Sequence, residues 1–146
     1  SFMQKAHDTY GYPHFINDAS GSLCELDEPE VLEQLASLSL IVYLKPSKKM
    51  LKKIIDRSLR NPKPLYYQNQ FLDHTLPQYL KKNNISNPCS IIPDDFFRWI
   101  FPLLVEHRLP RYQAIAEKFG VVLEADRIED ISGESEFIEL ICGALG

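Results

Sequence analysis

Residues Leu38–Arg60 read LSLIVYLKPSKKMLKKIIDRSLR, and this stretch decides the fold class. Leu38–Leu44 is a nearly continuous apolar run that includes the β-branched pair Ile41 and Val42. A strand with one wet face would alternate apolar and polar residues. A continuous run predicts a strand covered on both faces, as in a parallel sheet. Pro46 and Ser47 end it, and Ser47 is placed to cap the helix that follows. That helix gathers Met50, Leu51, Ile54, Ile55 and Leu59 on one face, while Lys48, Lys49, Lys52, Lys53 and Arg57 occupy the rest. A buried strand feeding directly into an amphipathic helix is an α/β pattern.

Working upstream, residues 2–10 read as a helix end stopped by Gly11 and Pro13. His14–Asn17 reads as a short strand ending at Asp18, followed by the small residues Ala19, Ser20, Gly21 and Ser22 and by the acids Glu25 and Asp27. Pro29 suits the first turn of a helix over PEVLEQLASL. Downstream, the two prolines of RNPKPLYY break the basic helix. A helix over residues 69–82, bent at Pro77, comes next. Asp94 or Asp95 then opens an apolar helix interrupted near Pro102, and Pro110 begins a short helix ended by Gly120. VVLEAD is a third strand, and ESEFIELICGAL is a closing helix. The expected fold is one helix-rich α/β domain over residues 1–146, with a small parallel sheet and helices packed around it. There is no internal repeat.

Of the 146 residues, 45% are hydrophobic and 25% charged, which suits a globular chain. No apolar run reaches the ~20 residues of a membrane helix, so no membrane partner is expected. Cys24, Cys89 and Cys142 are odd in number and lack metal-ligand spacing. They read as free thiols of a cytoplasmic protein, with Cys142 in a small buried apolar role. The four histidines are dispersed, which argues against a hydrolase triad or a metal centre built on them. The charge is segregated. Between Lys45 and Lys63 eight cations face a single acid, Asp56, while the whole chain carries -4. Such a stretch is either an anion site or a solvated helix face.

At this point a resemblance enters. HFINDASGSLCEL, LIVYLKPSKKMLKKIIDRSLRNPKPLYY, RYQAIAEKFGVVLEADRI and the terminal FIELICGAL look like the later two-thirds of a bacterial P-loop ATPase family. That family is distantly similar to shikimate-kinase-like phosphotransferases. The resemblance covers essentially the whole chain. The P-loop itself, G-x-x-x-x-G-K-[ST], is not among these residues: no glycine has a Gly-Lys-Ser/Thr neighbour. The chain therefore reads as the C-terminal portion of a P-loop NTPase-like fold, with a helical lid insertion over about 48–108. It is expected to bind ATP and magnesium only together with a phosphate loop lying upstream, and to be catalytically silent alone.

The resemblance implies roles for particular residues. Asp18 approaches magnesium as a Walker-B-like carboxylate, with an Asx turn or helix cap as the plainer use. Ser20, Gly21 and Ser22 turn toward the nucleotide. Arg57, Arg60 and Lys63 close over the phosphates as a lid, where guanidinium groups can offset charge developing on a transferred phosphoryl group; Arg57 could equally complement its helix dipole. Arg108 and Arg111 lie near the adenine, or pair with Glu106 and Glu117 on the surface. Glu25 orients an attacking group or starts a helix. Tyr66 and Tyr67 stack on a base or pack between helices. The implied partners are a nucleotide and a small-molecule phosphate acceptor, with homo-oligomerisation open. The alternative is a non-catalytic protein-interaction or dimerisation domain, in which Phe71, Tyr79, Phe96, Phe97, Trp99 and Phe101 form an interface. A pI of about 5.5 and the lack of a recognised module argue against nucleic acid.

Overall fold

The computed structural model describes residues 2–12, 15–26 and 28–146. Helix α1 covers Phe2–Tyr10 and is followed by a 3-10 turn over Ser20–Glu25. Helix α2 (Pro29–Leu38) then leads into strand β1 (Ile41–Lys45). Three helices follow: α3 (Lys48–Arg60), α4 (Asn69–Lys82) and α5 (Pro93–Phe119). Strand β2 (Gly120–Glu124) and helix α6 (Glu134–Leu145) close the chain.

β1 and β2 form a two-stranded parallel sheet in the register Ile41↔Gly120 to Lys45↔Glu124. Parallel strands need a crossover, and here it holds α3, α4 and α5. The two strands meet closely. A Cβ on Gly120 would lie 1.8 Å from the Ile41 carbonyl oxygen, so only glycine lets the end of α5 turn directly into β2 at this spacing. Ile41, Val121 and Leu123 are buried along the sheet, but the carboxyl half of β1 emerges, with Leu44 and Lys45 exposed. The expectation of a strand covered on both faces holds only for its first half, because the strand has one neighbour rather than two.

The first expected strand does not form. Phe15–Ala19 has no strand structure, and Ile16 is 74% exposed; His14 and Asp27 lie outside the described residues. With only Phe15 and Ile16 apolar, the stretch is too short to hold a ladder of its own. Asp18 consequently sits in an exposed segment rather than at a strand's end. The two helices expected on either side of Pro110 are one. α5 runs for 27 residues with Pro102 and Pro110 inside it. Each proline removes one backbone hydrogen bond, but Phe97, Ile100, Leu104 and Ala116 bury the helix along its length, and this burial keeps it continuous.

Phe71, Ile100 and Leu104 form the helical core, with Leu65, Tyr67, Phe96 and Trp99 packed against it. Tyr79 stacks edge-on against Phe96 at 5.0 Å and lies 5.2 Å from Trp99. Phe97 is buried. Of the aromatic block proposed as an interface, Phe71, Tyr79 and Phe97 are buried and Phe96, Trp99 and Phe101 half-buried, whereas Tyr66 is exposed. Cys142 is exposed, contrary to its expected burial. The reason is that α6 lies at the margin and has no buried residue. No helix of the described residues is long and apolar enough to cross a membrane.

Candidate functional site

Two features concentrate charge and polar chemistry. The first is built where α5 meets the 3-10 turn. Arg108 and Tyr112 stand four residues apart on α5 and therefore share a helix face. Arg108 Nε donates to Glu25 Oε1 at 2.6 Å, with the two side chains 15% and 1% exposed. Its Nη2 donates to the Tyr66 carbonyl. Gln68 Nε2 donates to the Glu25 carbonyl. Tyr112 donates its hydroxyl proton to the Gly21 carbonyl at 3.0 Å, and the Cys24 thiol lies 3.5 Å from the same oxygen. The Tyr112 ring packs on Tyr43 of β1, centroids 5.5 Å apart. One arginine and one tyrosine thereby join the turn, the α3–α4 connector, the sheet and α5.

Gly21 makes this possible by close approach. A Cβ there would sit 2.8 Å from Arg108 Nη1 and 2.9 Å from the Tyr112 hydroxyl. Burial pushes the Cys24 thiol above its ordinary value, with the Glu25 carboxylate adding to the effect and the Tyr112 hydrogen bond opposing it. Burial likewise pushes the Tyr112 hydroxyl well above the usual phenol range, reinforced by the adjacent thiol. A thiol held protonated is a poor nucleophile, so Cys24 packs rather than reacts. Glu25 Oε2 is buried with no hydrogen-bond partner among the described residues.

The second feature is the basic segment. All eight cations from Lys45 to Lys63 are exposed, and none forms an ion pair among the described residues. Ser47 caps α3 as expected, accepting from the Met50 N–H at 3.2 Å, and its hydroxyl donates to Asp126 Oδ1 at 3.1 Å. Since Asp126 follows β2, the cap ties α3 to the carboxyl ends of both strands. Arg60 Nε donates to the Asp56 carbonyl of its own helix. α3 packs on α5 but buries no residue fully, and Ile54 of its apolar side is exposed.

The expected site residues divide accordingly. Gly21 and Arg108 come together. Ser20 and Ser22 share Gly21's turn, their side chains outside what is described. Arg111 is beside them on α5, with Nη1 3.0 Å from His107 Nε2. Arg57, Arg60 and Lys63 belong to the basic segment, and Asp18 to the exposed loop. Arg108 pairs with Glu25 rather than with Glu106 on its own helix. Sequence reasoning gave Glu25 only secondary roles, although it is 4% exposed. Gln68 and Tyr112 went unremarked. Tyr112's spacing from Arg108 was a legible signal, but nothing local connects Glu25 to a residue 83 positions away.

Fit to the implied cofactors is uneven. The space over Gly21 is filled by the Arg108 and Tyr112 tips, which leaves that turn no room for a phosphate on this side. Among the described residues no group of three His, Cys, Asp or Glu side chains gathers to hold a metal. Compared with known proteins, the chain matches no protein-family model, no curated protein and no solved structure.

Proposed function

We propose that this chain is the phosphate-closing part of a P-loop ATPase or small-molecule phosphotransferase, acting with a phosphate-cradling loop that lies outside these 146 residues. The carrying observation is the basic segment: eight exposed cations leave the carboxyl end of a parallel strand without ion-pair partners among the described residues. Ligands of open α/β sheets meet the protein at the carboxyl ends of the strands. In this reading Arg57 and Arg60 close over the polyphosphate and offset charge on the transferred group. Arg108 is a positioning residue. By holding the Tyr66 carbonyl it fixes the far end of the connector that follows Arg60 and Lys63. Asp18 carries no part of the reading, since its segment is not a strand's end.

Titration of a fluorescent ATP analogue with magnesium tests it. The chain alone should bind in the millimolar range, about -4 kcal/mol, and should not hydrolyse ATP. Arg57→Ala/Arg60→Ala should weaken binding at least tenfold, since a hydrogen bond to a charged group contributes about 1.5–3 kcal/mol. Sub-micromolar ATP binding by the chain alone would refute a cradle located elsewhere, and an unchanged affinity in the double variant would refute the lid.

A further inference from the structure

The basic segment carries more charge over more length than a single nucleotide can engage. Its eight cations and Asp56 give a net +7, in a chain whose total is -4, so the remainder carries -11. The chain's overall charge weighs against nucleic acid, but its distribution does not, because exposed charges interact over about a Debye length, ~10 Å at 0.1 M salt. Within α3, Lys49, Lys53 and Arg57 recur every fourth residue. They form a stripe with steps of about 6 Å on a helix about 20 Å long. Asp56 is the single acid of the segment. α3 packs on α5, and of its apolar residues Met50, Leu51, Ile55 and Leu59 are half-buried, leaving Ile54 exposed, a small apolar surface to sink into a lipid.

Beyond the stripe, the chain presents an aromatic ring. Tyr66 is 65% exposed, yet its backbone is held at the carbonyl by Arg108. The adjoining Tyr67 turns inward against Phe71, centroids 6.1 Å apart. An exposed aromatic nine residues along the chain from a cationic stripe fits a ligand that carries both a row of phosphates and flat bases.

We propose that α3 and Tyr66 form a binding track for single-stranded nucleic acid, the cations of α3 following the phosphates and Tyr66 stacking on a base. The track stands on the surface itself and does not require the phosphotransferase reading.

The test is fluorescence anisotropy of a labelled twelve-nucleotide thymidine strand with the full chain. Binding should be micromolar at 50 mM salt. The log–log salt slope should be about -3 to -4, as expected for four to six neutralised phosphates on a single strand. Lys49→Glu/Lys53→Glu should weaken binding more than tenfold and flatten the slope by at least about 1.4. Tyr66→Ala should weaken it about tenfold with the slope unchanged, and Tyr66→Phe should restore it. Both sites are exposed, so circular dichroism of each variant should match the parent. Absence of binding at 50 mM salt overturns the proposal. So does equal binding of polyglutamate or of phosphatidylserine vesicles, or a Tyr66→Ala variant that binds normally. ATP affinity, measured separately, reports on the lid and leaves these outcomes distinguishable.

Discussion

Arg108→Met removes the ion-pair partner of a carboxylate whose side chain is 1% exposed. Glu25 Oε2 already lacks a partner among the described residues, so the variant would leave both oxygens of a buried charge unsatisfied. Breaking a buried pair from one side costs about 3–5 kcal/mol, and loss of the bond to the Tyr66 carbonyl adds about 1 kcal/mol. Against a total stability of roughly 5–15 kcal/mol, this is a large fraction. Glu25→Gln should cost less, about 2 kcal/mol, because Arg108 is partly exposed and can hydrate. The double variant removes both charges together and should be destabilised by less than Arg108→Met alone, since replacing a buried pair by neutral groups is often close to neutral. The coupling between the two sites should therefore exceed about 2 kcal/mol. Urea unfolding followed by Trp99 fluorescence measures it, Trp99 being the single tryptophan and packed against the helical core. With a slope of about 2 kcal/mol per molar urea, Arg108→Met should lower the midpoint by about 2–3 M. Additivity of the two single variants within about 0.5 kcal/mol would refute the pairing, and with it the account of how the connector is held.

Gly120→Ala should cost at least about 3 kcal/mol. Its Cβ would sit 1.8 Å from the Ile41 carbonyl oxygen, and parting the strands to about 3.5 Å would break ladder bonds worth about 1 kcal/mol each; a loss under 1 kcal/mol in urea unfolding would contradict the register. Gly21→Ala should cost less, since it meets the movable ends of Arg108 and Tyr112 rather than backbone. With a thiol-reactive dye, Cys89 and Cys142 should react within minutes and buried Cys24 only on unfolding; three equally fast thiols would contradict the packing of the turn. Stability should fall as pH rises above about 9. There the unfolded chain loses protons from its thiol near 9.0 and its phenol near 10.0, while burial keeps Cys24 and Tyr112 protonated in the fold. Urea midpoints at pH 7, 9 and 10.5 test the sign, and Tyr112→Phe should flatten the dependence.

Local pattern carried much of the architecture. Pro29–Leu38, Lys48–Arg60 and Glu134–Leu145 are helices at the bounds their apolar spacing and flanking residues suggest, and Ser47 caps α3 by the bond its position predicts. These are contests settled within a few residues, by periodicity and by who satisfies the first N–H groups. Local pattern misled where a distant partner decides. His14–Asn17 looked like a strand, but Phe15–Asn17 has no strand structure. Pro110 looked like a helix boundary, but burial along α5 outweighs it. The sequence alone determined the α/β alternation and the segregated positive charge, because spacing and composition are properties of neighbours along the chain. Only the tertiary structure decided that Arg108 serves Glu25 and Tyr66, and that Tyr66 rather than Tyr67 faces outward. Ion pairing and exposure depend on which distant segments exclude water from one another, and no local spacing encodes that.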